Sequence, residues 1–449
     1  MTKIIFSFDT EDIINEIGAD GILMSARILR EEGFKGCFNI VGLLADQLIT
    51  WDRYDIINEL KEHHDVNFHS HTHSVHPTIN EYTDKENFYE ALEEFVTDEG
   101  EGLKKVQAVF GKKGLTAACI PGNCTSYVAH YGYKKLGFTF FSGDSIYDKE
   151  SYRPINVCNI TALHYARSLD SVLFNTDEDK LRDYIEETAR GKDIMIFYHH
   201  PQRAYCKTFW DADNLHKVNT PKEKWIKSET HDPKDTERFY KNFRALIKLL
   251  KEDPDFSITS YAELKDELNG SERIITREDI PYIKAQLEED LFPVTLPDSY
   301  CISDILLACK DLLCGKEYHV CKNVYGFLSE PCSVSKPTVV SKSEITELLY
   351  SLDESDFLPN CFYVNGKHLG PRDLLSASLN FLTSDSEHCT LQPAQKWQID
   401  LDEFPALRDL KYKHTWLHAD TLEDNYLSDR LRLQSWTIRL PKGTKRKIL

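Results

Sequence analysis

The chain reads as an α/β protein followed by an α-rich region. Three observations predict this. Strand-like and helix-like stretches alternate over roughly the first 260 residues, the pattern of a parallel sheet or a β/α barrel. Residues capable of chemistry fall at the C-terminal ends of those strands, the end where β/α barrels build their sites. Near residue 268 the texture changes, with the polar stop Glu267-Leu268-Asn269-Gly270-Ser271-Glu272 and a charged stretch from Asp279 to Asp290. The expected boundaries are 1–268 for the barrel domain, 269–295 for a linker and 296–449 for an α-rich C-terminal domain with a repeat-like texture.

Lys3 to Phe8 is apolar and β-rich and starts the first domain at once. Gly21 to Glu32 carries apolar residues at helical spacing and stops at Gly33. Lys35 to Val41 is a second strand; Leu43 to Ile49 and Tyr54 to Glu62 are helical. Asp65 to His69 is the third strand. Glu86 to Phe110 is a long amphipathic helix, expected to break near Gly100 and Gly102. Leu115 to Ile120 is the fourth strand, Ser126 to Leu136 a helix and Phe138 to Ser142 the fifth strand, followed by Asp144. Asn156 to Ala162 and Val172 to Asn175 read as shorter strands, and Lys180 to Ala189 as a helix. Asp193 to Tyr198 is a strongly apolar strand running into His199-His200-Pro201. Thr236 to Glu252 is a helix and Phe256 to Thr259 the last strand.

Beyond the stop, Ile302 to Leu313, Ile345 to Leu352 and Pro371 to Leu382 are helix-like. Leu358 to Lys367 holds an Asn365-Gly366 hairpin signal. In a weaker second copy, Asn323-Val324-Tyr325-Gly326 stands where the hairpin belongs. Trp397, Trp416 and Trp436 are either core residues or sugar-stacking faces. Lys442 to Lys447 is a frayed basic tail.

Composition narrows the function classes. The 449 residues are 41% hydrophobic, enough for large cores, and the 73 acidic and 54 basic residues give a net charge of -19. A field of that sign disfavours nucleic acid and anionic membrane as partners. The N-terminus lacks a signal h-region and no stretch reaches transmembrane length, so a cytoplasmic location is expected. The 12 cysteines form no Cys-x-x-Cys, and they read as buried free thiols in a reducing compartment.

The most informative stretch is His69-Ser70-His71-Thr72-His73. Alternate residues of an extended strand share a face, so His69, His71 and His73 project together. Neutral imidazole is the commonest metal ligand, and a hydrophobic core has no use for three of them. Phe8-Asp9-Thr10-Glu11-Asp12 ends the first strand with three carboxylates. In extended geometry Asp9 and Glu11 share a face, whereas Asp12 does not. Two histidines and one carboxylate leave a divalent metal open positions for water and substrate. An N-cap cluster for the next helix explains the carboxylates equally well.

These pieces, in this order, resemble the polysaccharide deacetylase homology domain, carbohydrate esterase family four. The resemblance rests on Phe6-Ser7-Phe8-Asp9 with Glu11, on Cys37-Phe38-Asn39-Ile40-Val41-Gly42, on His69-Ser70-x-x-His73 and on a strand ending in His200-Pro201, and it covers about residues 1–265. It implies a distorted, seven-stranded, TIM-like β/α barrel and a metal-dependent N- or O-deacetylase acting on an acetylated sugar or glycan. By position, Asp9 resembles the general base and His200 the general acid. Glu11, His69 and His73 resemble the ligands of one divalent metal, with Zn2+ as default and Ni2+, Co2+ or Mn2+ as alternatives. His71, Pro121 and Gly122 fall on the substrate side. Asp12 competes with Glu11 as metal carboxylate, and His199 with His200 as acid. The family's third motif carries an Arg before Pro that steadies the base; here Cys119-Ile120-Pro121-Gly122 has none.

Two other readings stand beside this one. An amidohydrolase of a small nitrogen metabolite would use the same barrel, and a catalytically degenerate glycan-binding protein would explain the missing Arg. The C-terminal region more faintly resembles pseudomurein-binding repeats, through Leu358-Pro359-Asn360 to Gly366-Lys367 and Leu374-Leu375. A packing role, including homo-oligomerisation, is the alternative for that region.

Overall fold

A computed structural model describes residues 1–111, 115–122, 124, 126–143, 152–216, 218–268, 272–296, 298–393, 395–400 and 423–440. Asp144, Trp416, Asn269 to Ser271 and the basic tail lie outside these. The chain forms two compact units, the first being Met1–Pro154, Ile160–Asn269 and Leu410–Leu427, and the second Ile155–Asn159, Gly270–Asp409 and Ser428–Leu449.

The strands to residue 259 are β1 (Thr2–Thr10), β2 (Cys37–Ile40), β3 (Asp65–Phe68), β4 (Ala117–Cys119), β5 (Phe140–Ser142), β6 (Ile155–Val157), β7 (Ile160–Leu163), β8 (Arg167–Ser168), β9 (Ile194–His199) and β10 (Phe256–Thr259). All but β6 belong to the first unit, where nine strands join one parallel sheet in the order β7-β5-β4-β3-β2-β1-β9-β8, with β10 also on β1. The end strands β7 and β8 do not pair with each other among the described residues, so the sheet curls as an open half-barrel rather than closing on seven strands.

β1 is the centre of this sheet. One edge pairs with β9 from Lys3 to Phe8; the other meets β10 from Thr2 to Ile5 and β2 from Ser7 to Thr10. Its even residues face the helical layer. Phe6 packs edge-on to Phe243 at 5.6 Å, and Phe8 stacks on Phe38 at 4.5 Å. Its odd residues face inward and grade from apolar to ionisable. Ile5 joins Cys37, Ala117, Cys119, Phe140, Ile194, Ile196, Tyr261 and Leu264 in a dry floor. Ser7 bonds Tyr261 at 3.1 Å above it, and Asp9 and Glu11 follow at the rim. Parallel strands bring all C-terminal ends to that one rim, which gathers residues distant in sequence.

Three expectations are corrected here. The helix Phe88–Phe110 runs unbroken through Gly100 and Gly102. Gly102 serves close approach instead: a Cβ there would stand 2.5 Å from the His71 Cα. Residues 172–175 belong to a helix, Asp170–Asn175, not a strand. Asn242 donates to the Leu173 and Thr176 carbonyls at 2.9 and 2.8 Å, satisfying groups that a helix end leaves open. Asn156 to Ala162 is interrupted where Cys158 and Asn159 take positive φ, separating β6 from β7.

In the second unit the helices Ile280–Glu289, Ile302–Leu313, Lys342–Tyr350 and Pro371–Thr383 alternate with four antiparallel two-stranded ribbons. It is thus richer in strand than expected. The hairpin signal holds: Phe362–Val364 pairs with Lys367–Leu369 across Asn365 and Gly366, both at positive φ. Asn323 to Gly326 forms no such hairpin. Trp436 is fully buried, a core residue. Cys332 and Cys361 form a disulfide, correcting the reading of free thiols throughout. The Cys332 N–H donates to the Asn360 carbonyl at 2.9 Å, which brings the two segments side by side. Seven of the described unpaired cysteines are buried. No helix of the described residues is long and apolar enough to cross a membrane.

Candidate metal centre and acid–base pair

The β1 extension and the loop after β3 meet at the rim. Glu11, His69 and His73 each offer a ligand atom there, all within 4.8 Å of one another, and all three residues are buried. Glu11 Oε2 lies 2.9 Å from His73 Nε2 and 3.6 Å from His69 Nε2. The far nitrogens are already committed. His69 Nδ1 donates to the Cys119 carbonyl at 3.2 Å, which leaves Nε2 as the lone-pair nitrogen. His73 Nδ1 bonds Ser74 Oγ, which donates in turn to Asp211; the Asp211 carboxylate stands 3.3 Å from the same nitrogen.

This arrangement fits a divalent cation. His69 Nε2 is buried with no hydrogen-bond partner, a costly state that a metal relieves. Both imidazoles carry the outer hydrogen bonds that orient metal-bound histidines. The charges of the cluster are linked. Burial alone would raise the Glu11 carboxyl, but His73 and His200 hold it well below the ordinary carboxylate range. Burial disfavours a charged His73, yet Glu11 and Asp211 lift it to about 10.

The loop reaches this geometry through unusual backbone. Ser70 and His73 have φ of 69° and 57°, and the Ser70 hydroxyl accepts the His73 N–H at 3.0 Å. The turn breaks strand alternation, so His71 leaves the shared face. It lies against the helix Phe88–Phe110, with Nδ1 3.1 Å from Asp98 and its N–H donating to Glu99 at 3.4 Å. Asp12 leaves too. It accepts from the backbone of Ile14 and Asn15 at 3.0 and 2.9 Å, and burial lifts its pKa to about 6. Glu11, not Asp12, therefore stands in the cluster.

Asp9 sits directly across the ladder from Asn39. Its Oδ1 accepts from Asn39 Nδ2 at 2.8 Å and from the Tyr165 hydroxyl at 2.9 Å. His200 Nε2 is 3.8 Å from the other oxygen, Oδ2. His200 is held from behind, its Nδ1 2.6 Å from Asp170 and its N–H donating to Asp170 at 2.9 Å. Burial opposes its charge, but Asp170 and Glu11 outweigh that and raise its pKa to about 10. His199 points to the opposite face, where Nε2 meets Ser25 at 3.3 Å and burial lowers its pKa.

Ile120 and Pro121 follow β4 beside these groups. The Ile120 N–H donates to Ser142 at 2.8 Å, and the Pro121 carbonyl accepts from Cys124 at 2.7 Å. Gly122 has φ of 49°.

Asn39, Tyr165, Asp170, Gln202 and Asp211 were not singled out from sequence. Asn39 carried one signal: an amide within an apolar strand, a residue type that is buried only when it has partners. Asp170 and Asp211 carried none, since each is one carboxylate among 73 acidic residues.

No family model matches the chain, and no curated protein matches it. The solved structures that match include polysaccharide deacetylases. One is a putative polysaccharide deacetylase from Mycobacterium smegmatis, 11% identical with a TM-score of 0.39, covering 59% of this chain and 89% of that one. Another is a family 4 carbohydrate esterase from Streptomyces lividans in complex with acetate, 12% identical with a TM-score of 0.32, covering 57% and 91%. A 4-alpha-glucanotransferase from Thermococcus litoralis is 12% identical with a TM-score of 0.40 over 60% of this chain. This chain spans only 40% of the glucanotransferase's length.

Proposed function

We propose that residues 1–268 form the catalytic barrel of a metal-dependent hydrolase that removes acetyl groups from an N- or O-acetylated carbohydrate. The observation that carries this reading is the juxtaposition of the Glu11, His69 and His73 cluster with the Asp9–His200 pair at 3.8 Å. A divalent cation held by Glu11, His69 and His73, with zinc as the default, would supply Lewis acidity toward the acyl carbonyl and the attacking water. The chain's own groups do the rest.

Asp9 takes a proton from the water as its oxygen bonds to the acyl carbon. Asn39 and Tyr165 fix the Asp9 carboxylate, so that Oδ2 stays free for that proton. His200 Nε2–H gives its proton to the leaving nitrogen as the C–N bond breaks. Asp170 holds the imidazole by Nδ1, leaving Nε2 turned toward Asp9. Acetate and a free amine leave; for an ester the leaving group is an alcohol.

Metal analysis should find about one equivalent of divalent metal per chain. Acetate release from N-acetylglucosamine and its oligomers tests the reaction. Asp9→Asn should keep the metal and lose turnover. Ammonia release from small amides instead of acetate would favour the amidohydrolase reading. Glycan retention without turnover would favour a degenerate binding protein.

A further inference from the structure

The proposed site is nearly closed. Asp9, Glu11, His69 and His73 are only 3%, 3%, 1% and 4% exposed. Residues 201–216 and 218–231, between β9 and the helix Pro233–Glu252, reach this site at several points. Gln202 Nε2 donates to Glu11 Oε1 at 3.1 Å, and Asp211 backs His73. The Leu215 carbonyl meets His76 Nε2 at 3.3 Å.

This segment is built as a wall. Asn214 Nδ2 donates to the Trp210 and Ile226 carbonyls at 2.7 and 3.0 Å, and its Oδ1 accepts the Ile226 N–H at 2.7 Å. Trp210 is fully buried against Trp225, at 5.3 Å. A bridge joins Cys206 to Thr230, and the Ser228 N–H reaches Asn15 at 3.1 Å. Long loops packed by their own side chains hold a defined shape.

Exposure survives at the acid. The side chains of His200 and Asp170 are each 17% exposed. Aromatic rings frame them: Phe209 stands edge-on to His200 at 4.8 Å, and Tyr198 stacks on Tyr165 at 4.7 Å. Arg203 lies over Phe209 at 4.9 Å and steadies it.

We infer that residues 201–216 and 218–231, with Phe209 beside the half-buried His200, restrict this site to an acetyl group on a free monosaccharide or a chain end. The inference rests on the deacetylase reading above. An internal sugar of a polymer has neighbours on both sides and needs an open groove, whereas a terminal sugar needs access from one side only.

The test uses the zinc-loaded full chain with N-acetylglucosamine, its disaccharide and a long N-acetylglucosamine polymer. The expected result is a kcat/KM at least about tenfold higher per acetyl group on the monosaccharide than on internal positions of the polymer. Phe209→Ala should narrow that ratio by raising the polymer's rate. Equal rates on monosaccharide and polymer, or a polymer preference, overturn the inference. Asp9→Asn provides a readout free of turnover, by calorimetric binding of the same sugars. Monosaccharide binding that exceeds polymer binding, without turnover in the wild type, supports size selection while removing the deacetylase reading. Binding of neither sugar overturns both.

Discussion

Asn39 lies across the strand ladder from Asp9 and donates to its Oδ1 at 2.8 Å. Tyr165, following β7, reaches the same oxygen at 2.9 Å. These two neutral donors hold the carboxylate that the missing Arg before Pro121 was expected to steady. Ile120 at that position is apolar, and the two donors come instead from β2 and from the segment after β7.

Removing either donor should misplace Asp9 without disturbing Glu11, His69 or His73. Tyr165→Phe and Asn39→Ala should each lower kcat by about 10- to 100-fold, the scale of one hydrogen bond to a charged group. Metal content should stay at the wild-type level. Unchanged kcat in both variants would remove these residues from any positioning role.

Asp211 is buried against His73 Nδ1 and Ser74. Asp211→Ala should weaken zinc affinity by about 10- to 100-fold, as losses of such outer partners do. His73→Ala should abolish stoichiometric binding. Competition with a chromophoric chelator measures both, and an Asp211→Ala affinity equal to wild type would count against the orientation argument.

In the proposed reaction His200 should set the alkaline limit. Its pKa is raised from the ordinary 6.5 to about 10, with burial opposing and Asp170 foremost among the groups that lift it. The protonated form is favoured in the fold. Its stabilisation is therefore complete below 6.5 and is lost as pH rises through about 10. Turnover that needs the imidazolium should fall in the same upper window. Asp170→Asn should move the alkaline limb of kcat down in pH, toward the ordinary imidazole value. An unmoved limb would assign it to another group.

Glu99 lies beneath His71, within 3.4 Å of the Tyr82 and Tyr133 hydroxyls. Burial, helped by Asp98, raises its pKa from 4.5 to about 8. For a carboxyl raised on folding the cost is ionisation. Its contribution is full below 4.5 and is lost as pH rises through about 8. Glu99→Gln should raise Tm above pH 8 and leave it nearly unchanged at pH 5. A lower Tm at both pH values would mean that the carboxyl group itself is needed to hold the loop.

The sequence by itself was enough for several features. Strand alternation placed Asp9 and Glu11 on one face of β1 and its extension and sent His199 and His200 to opposite faces, because side-chain direction along an extended backbone has a period of two. The spacing His69-Ser70-x-x-His73 picked out the two histidines that meet Glu11. The positive-φ hairpin at Asn365-Gly366 was legible because its turn residues are local. What failed was nonlocal. The shared face expected for His69, His71 and His73 ended where the backbone turns at Ser70 and His73, and Gly102 then let the helix Phe88–Phe110 press against His71. The strand expected at 172–175 became helix because Asn242, far along the chain, caps its carbonyls.

Only the tertiary structure decided the partners. Asn39, Tyr165, Asp170 and Asp211 reach their targets from separate strands and connections, and no periodicity within any one segment relates them. Parallel strands set every C-terminal end on one rim, and register then fixes which residue stands opposite which. A carboxylate's neighbours across that rim are a property of the ladder, which local sequence does not encode.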